Sequence, residues 1–286
     1  MLRTIRNRFL VLFILLITFT IILIGIMSDY FIQKQITRSV TDAFLDDLKS
    51  DSAKVESFFK VVKSDIDILS SETAYKINNS SMKTGSEELR LQLEDKFIRY
   101  MEVRMIYSEI IYIEPSGREL VRVEFGGGEA GISAETVMTD DYSTFIEAMK
   151  LNKSMLYVSP LYLNTKHGKI KIPPEPVIRY TRPVFTESGE NAGIIVMTVL
   201  AEKVIEELRH VDSGILRLVN KDGYFLINPD TNLEFGFGIA GNENEKLHKY
   251  YPEHADKILA GGSGYVDTGR GWVTTWLYWF SNPGDE

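Results

Sequence analysis

Three rhythms of apolar and polar residues succeed one another along the chain. From Phe9 to Met27, 19 residues pass without a charge, close to the roughly 20 that a helix needs to cross a bilayer core. A cleaved signal peptide would show a shorter apolar stretch ending in a small-x-small site, and "GIMSDYF" offers none. The pattern predicts an uncleaved membrane helix over residues 9–28. Arg3, Arg6 and Arg8 lie ahead of it, so the positive-inside rule assigns residues 1–8 to the cytoplasm and exports the rest. Next, Ile36, Val40, Phe44, Leu48, Val55, Phe59, Val62, Ile66 and Leu69 recur at three-, four- and seven-residue spacings, the stripe of an amphipathic helix. Neither Gly nor Pro interrupts it from Ser28 to Tyr75. A long helix over 29–75 is expected, lying along its own domain, pairing with a second copy as a stalk, or both.

The third rhythm mixes helix and strand. "INNSSMKTGSEE" (77–88) is a polar break, and Leu89, Leu93, Phe97 and Met101 then mark one face of a helix over 86–104. "YSEIIYIEPSGRELVRVEF" gives two strand-like runs around Pro-Ser-Gly, a hairpin signal, with Gly126 to Gly128 ending the second run. Residues 142–151 suggest a short helix and "MLYVSPLYL" a strand. "PVIRYTRPVF" and "GIIVMTVL" make another hairpin, and "AEKVIEELRHV" a helix that leaves it. "GILRLVNKDGYFLINPD" (214–230) then repeats strand, turn, strand, and "WVTTWLYWF" (272–280) is a further apolar strand. This order predicts an α+β fold, an antiparallel sheet with helices on one side. It comes as two tandem units, 76–210 and a smaller, incomplete 211–286.

Composition narrows the function. The 286 residues carry net charge -8, and without the three N-terminal arginines the body is more acidic still. An acidic body argues against nucleic acid as a partner, which would call for a basic face. The basic, Pro-rich segment "YVSPLYLNTKHGKIKIPPEPVIRYTRPVF" (157–185) is therefore no polyanion site. Lys166, His167, Lys169 and Lys171 sit on an exposed loop, and the informative half is "VIRYTRPVF". Zero cysteines exclude a disulfide framework, a thiol nucleophile and cysteine-bound zinc.

Motifs for catalysis or cofactors do not hold up. "GFGIAG" (236–241) matches Gly-x-Gly-x-x-Gly, yet it follows the polar "NPDTNLEF" and precedes "NENEKL", without the strand and helix a dinucleotide loop needs. "GGSGYVDTGRG" lacks the Gly-Lys-Ser/Thr ending of a phosphate loop. His248, His254 and Asp256 lack the i, i+4 spacing of a helical zinc site and read as solvated surface, so no metal is expected. No Ser-His-Asp set has motif support, so the exported part has no catalytic site and needs no cofactor.

A ligand pocket is the better prospect. Alternation along a strand puts Arg179 and Thr181 on one face and Tyr180 and Arg182 on the other. Arg122 joins from the first hairpin, Tyr142 and Phe145 from the short helix, Tyr157 and Ser159 from the next strand. Arginine among aromatics suits a small organic acid, because guanidinium gives a carboxylate two parallel hydrogen bonds. The competing reading pairs Arg179 or Arg182 with a structural acid and makes the tyrosines core.

"YVSPLYLNTKHGKI", "PPEPVIRYTRPVFTESGENAGIIV", "LVNKDGYFLINPD" and "FGFGIAG" together resemble the double Cache (tandem PAS-like) extracytoplasmic sensors of transmembrane receptors. The resemblance covers everything after Met27 and is most similar to sensor histidine kinases, with diguanylate cyclases and chemoreceptors carrying relatives. It implies a sensor that detects a small molecule and relays a conformational change across the membrane, and a homodimer is expected because relative motion of two helices is the simplest signal that can cross a bilayer. It also implies a second membrane helix and an output module beyond Glu286. A membrane-anchored binding protein without its own output is the alternative; an anchored hydrolase lacks a nucleophile. Amino-acid-binding members carry an Arg-x-x-Trp-Tyr-like helix and an Asp in the strand after the Gly-turn. Here "DDYSTFIEA" and "GIIVMTVLAE" stand in those places, with Thr198 near the Asp position, so an α-amino group would lack its counter-charge.

Overall fold

A single uninterrupted helix, α1 (Leu2–Asn79), opens the chain in the computed structural model, which describes residues 2–79, 86–133, 142–166, 169–209, 215–261, 263–267 and 273–277. The apolar segment and the amphipathic stripe are one element, as the absence of Gly and Pro between Ser28 and Tyr75 allows. Near the N-terminus the helix is long and apolar enough to cross a membrane, and that stretch is unburied. Within it, Thr18 and Thr20 turn their hydroxyls back onto carbonyls of the preceding turn at 2.8–3.0 Å, so neither leaves an unpaired polar group in an apolar surround.

Helix α2 (Glu87–Arg104) begins at Ser86, whose hydroxyl accepts from Leu89 N–H at 3.3 Å, with Glu87 and Glu88 in the first turn. Both features satisfy the exposed N–H groups and positive dipole of a helix start. It ends at Met105 in the left-handed conformation, φ 53°. Strands β1 (Tyr107–Ile113) and β2 (Glu119–Gly126) form the expected hairpin. Gly127 and Gly128 do not end the sheet there. They turn the chain into β3 (Glu129–Ile132), which pairs back onto β2.

After α3 (Tyr142–Met149), the expected strand 155–163 is split into β4 (Tyr157–Val158) and β5 (Tyr162–Leu163). Pro160 lies between them and has no N–H to give a ladder. A small hairpin, β6 (Thr165–Lys166) and β7 (Lys169–Ile170), replaces the expected loop. Its Lys166 and His167 side chains lie outside the described residues, Lys169 is exposed and Lys171 pairs with Glu175 at 3.1 Å. The long strands β8 (Pro176–Phe185) and β9 (Asn191–Leu200) follow, then α4 (Glu202–Arg209). The sheet runs β3-β2-β1-β9-β8-β4, with β5 also on β8, and every pairing is antiparallel.

One face of this sheet packs on α1 and α2. Tyr112, Tyr180, Ile195, Met197 and Val199 meet Leu89, Leu93, Phe97 and Met101 of α2 and Val62, Ile66 and Leu69 of α1 in one apolar core. Burying each large side chain contributes about 1.5–3 kcal/mol, and together they hold both helices to the sheet. The α1 stripe is covered from Val55 onward, whereas Ile36 and Val40 stay exposed. Polar ties fix its register. Asp65, fully buried on α1, accepts from Tyr107 Oη (2.7 Å) and Arg104 Nη2 (2.6 Å). Arg182 reaches Asp67, two residues further along α1, at 2.9 Å. Burial, then the Asp65 contact, raises the Tyr107 phenol above its ordinary pKa, since ionising it there would set two negative charges side by side.

Beyond α4 come β10 (Leu218–Val219) and β11 (Phe225–Ile227), the expected second hairpin. A 3-10 turn (Thr231–Leu233), α5 (Leu247–Tyr250) and α6 (Ala255–Leu259) follow around Phe225, Leu247 and Ala255. Strands β12 (Ser263–Asp267) and β13 (Val273–Leu277) pair antiparallel. By contacts, Ser52–Leu259 forms one compact unit, and the chain up to Asp51 groups with the β12–β13 region as another.

Candidate functional site

The sheet face turned away from α1 and α2 collects the predicted residues. Register places Tyr157, Thr181, Val196, Ile111 and Arg122 in one row across five strands, and Arg179, Thr198, Glu109 and Glu124 in the next. The two rows differ in character along their length. Towards α3 the face is apolar: Ile111, Ile113, Ile194 and Val196 pack with Phe145 and Ala148. Phe145 thus sits in a small core. Tyr142 opens α3, and its side chain lies outside the described residues.

The other half of the face is charged, with Glu109 at its centre. Glu109 accepts from Thr198 Oγ1 at 2.7 Å and from Arg122 Nη1 at 2.6 Å, and Arg179 Nη2 lies 3.6 Å away. Arg122 also gives Glu119 two hydrogen bonds, at 2.7 and 2.8 Å. Burial opposes the Arg122 charge, but the Glu119 bond and the charges of Glu109, Glu119 and Glu124 outweigh it and raise its pKa. Arg179 lies over the Tyr162 ring, 5.5 Å from its centroid, a cation–π placement. Ser159 holds the strand break: it accepts Arg179 N–H (2.9 Å) and donates to the Pro160 carbonyl (2.9 Å).

Thr181 differs from these. It is fully buried, and its hydroxyl has no hydrogen-bond partner among the described residues, a state that costs about 1–3 kcal/mol. Arg182, on the opposite face, meets the structural acid Asp67. The separation of Arg179 and Thr181 from Tyr180 and Arg182 therefore follows the alternation of the strand.

Glu109, Glu119 and Tyr162 were not foreseen. Glu109 had a signal, an acid at an alternate position in the otherwise apolar "YSEIIYI". Its partners are far along the chain, however, and only register brings them together. The carboxylate absent from β9 arrives from the neighbouring strand β1: where the sequence has Thr198, the structure adds Glu109 bonded to it.

Two hollows lie elsewhere. A shallow groove of about 490 Å³ runs along α1 past Lys60, Ser64, Ile68 and Ser71. A cavity of about 230 Å³ lies between α4 and the turn at 231–239. "GFGIAG" contributes turns to this region and does not open a helix, the next one, α5, starting at Leu247, so the glycines serve chain reversal and close packing. His248 Nε2 and Asp256 Oδ1 pair at the surface, 2.9 Å apart.

A long N-terminal helix docked on an antiparallel sheet that carries a charged outer face, followed by a second small strand pair, defines a tandem PAS-like sensor module. The structure is similar to the extracellular domain of the histidine kinase vpHK1S-Z8, with TM-score 0.70 and 20% identity over 80% of this chain and 82% of that one. It is also similar to a domain of a sensory box/GGDEF family protein from Vibrio parahaemolyticus (TM-score 0.66, 20% identity, 78% and 84% covered). The ligand-binding domain of the Campylobacter jejuni chemoreceptor Tlp3, in complex with L-valine, has TM-score 0.54 and 17% identity over 70% and 75%. No curated protein sequence matches the chain. The family model for the bacterial histidine kinase sensor domain matches residues 45–273. The chain belongs to that family, as the resemblance to double Cache sensors of histidine kinases implied.

Proposed function

We propose that the chain is the extracytoplasmic sensor of a transmembrane receptor kinase and that it detects a small organic acid on the charged half of the outer sheet face. Residues 9–28 anchor it in the bilayer, with 1–8 inside. Residues 29–75 form the stalk, 76–210 the membrane-distal sensing unit and 211–286 the membrane-proximal one. The observation that carries the ligand site is the Thr181 hydroxyl, buried without a partner two residues along from Arg179 on the same face. A ligand carboxylate would meet Arg179, with Arg122, Tyr157 and Ser159 around it, and accept from Thr181. The amino acids named in the chemoreceptor complexes support a ligand of this size.

A second reading has one specific observation behind it. Glu109 beside Thr198 supplies a negative group, so an α-amino acid, with its ammonium turned towards Glu109, becomes a candidate too. A thermal-shift panel on the full chain in lipid nanodiscs, with matched organic acids and amino acids, separates the two readings. Arg179→Ala is expected to abolish the response to every hit. Thr181→Val is expected to act in two directions: removing the orphan hydroxyl raises the stability of the unliganded protein by about 1 kcal/mol, while affinity falls about tenfold. Unchanged affinity in both variants would remove these residues from the site.

The stalk supports a homodimer. Ser57, Val61, Ser64, Ile68, Ser71 and Tyr75 alternate at four- and three-residue spacings and all are exposed on α1. That is the a/d rhythm of a helix pair, with small residues in alternate layers. Two copies anchored in one membrane would run parallel and bring these seams together. Ile68→Glu is expected to weaken self-association at least about tenfold in sedimentation of the full chain in detergent. A dimer insensitive to it would place the interface elsewhere.

A further inference from the structure

The 230 Å³ cavity beside α4 has no part in sensing at the sheet face. It is small against the ~300–1,000 Å³ of drug-sized pockets. One wall is α4, through Glu202 and Ile205, and the facing wall is Phe235 and Ile239. Ile205 and Phe235 are buried. Phe235 adopts φ 55°, a left-handed conformation that a bulky residue reaches only at a cost. Its N–H bond to the Phe225 carbonyl, 2.8 Å, holds it there and sets the direction in which the ring leaves the chain.

The charges in this cavity are unevenly satisfied. Arg209 gives both oxygens of Glu234 a hydrogen bond, at 2.7 and 2.6 Å. Glu234 also accepts Asn228 N–H at 2.7 Å. That pair is closed and neutral. Glu202 is different: among the described residues no side chain forms an ion pair with it. Burial first, then the charge of Glu206, raises its pKa, with Glu234 and Glu175 adding to this and Arg209 opposing it. A carboxylate repelled by its neighbours, at the rim of a cavity where Pro174, Ile205, Phe235 and Ile239 stand beside Thr231 and the closed Arg209–Glu234 pair, gains from a cation that has a carbon body. A metal ion fits poorly. Of the side-chain oxygens on the cavity's lining, those of Glu234 are taken by Arg209 and Asn228, which leaves only Glu202 and Thr231, and the described residues hold no group of three or more His, Asp or Glu placed for one.

We propose that this cavity is a second ligand site and that it takes a small organic ammonium ion, its carbon body against Ile205, Phe235 and Ile239 and its charge facing Glu202. The test is isothermal titration of the full chain in lipid nanodiscs with n-propylammonium and tetramethylammonium chloride, and with sodium propionate as the charge control. At least one ammonium ion is expected to bind saturably. Glu202→Gln is expected to weaken that binding about tenfold or more without lowering the melting temperature, because it removes a charge that its neighbours repel. Arg179→Ala is expected to leave ammonium binding intact, which separates this site from the sheet face. No saturable ammonium binding would overturn the proposal. So would ammonium binding that survives both Glu202→Gln and Phe235→Leu, binding lost in Arg179→Ala, or propionate competing at equal strength.

Discussion

Gly193→Ala is expected to cost at least about 4 kcal/mol, near the upper end for a single substitution, and to abolish the cooperative melting transition of the sensor sheet. Gly193 sits at the start of β9 with φ +132°, and a Cβ there would stand 2.3 Å from the Ile113 carbonyl oxygen and 3.1 Å from the Tyr112 ring. Neither neighbour can yield. Ile113 is backbone in the central strand β1, and Tyr112 is fully buried with its hydroxyl on the Ala192 carbonyl at 2.6 Å. Two costs therefore add: backbone strain of about 1–3 kcal/mol and displacement of a central strand. Gly128→Ala separates them, because Gly128 has φ +96° but nothing within 4 Å of the added carbon. It pays strain alone, so it should lose about 1–2 kcal/mol. Urea titrations of the two variants give the comparison. Equal losses would mean that β1 and β9 do not approach so closely at this point.

Asp65→Ala is expected to cost about 3 kcal/mol, from a buried hydroxyl left without its acceptor and a lost charge-assisted hydrogen bond. The Tyr107 hydroxyl, in a fully buried residue, would lose its acceptor, which alone costs about 1–3 kcal/mol. Arg104 contributes less, since its side chain is 41% exposed and can turn to water. Tyr107→Phe should therefore be milder, about 1 kcal/mol, because Asp65 keeps Arg104. A double-mutant cycle on thermal or urea unfolding reads the coupling directly. If Asp65→Ala proved no worse than Tyr107→Phe, the Asp65 contacts would add little to the apolar packing and the Arg182–Asp67 pair that hold α1 to the sheet.

How far the sequence could be read depends on how far apart in the chain the interacting residues are. Local periodicity was enough for α1, for the apolar face of α2 and for the two faces of β8, because strand alternation separates Arg179 and Thr181 from Tyr180 and Arg182 within one segment. It was also enough for the hairpin of β1 and β2, where Pro-Ser-Gly sits between apolar runs. Register between distant strands was not legible. Glu109 and Thr198 are 89 positions apart, and nothing local to either announces the other. The short β3 was hidden by the glycines before it, which serve equally as an end or as a turn. Arg209 and Glu234 carry no local mark of pairing, and only the fold sets the two residues side by side.

The unbroken α1 has a mechanical consequence. Its 78 residues include a single glycine, Gly25, in the apolar segment. Sharp bends arise at prolines, glycines or inserted side chains, and from Met27 to Asn79 neither proline nor glycine occurs. Along the stretch that packs on the sheet, from Ser52 to Asn79, the helix has no hinge residue, so a displacement at Asp65 or Asp67 would turn or shift that stretch as one stiff piece.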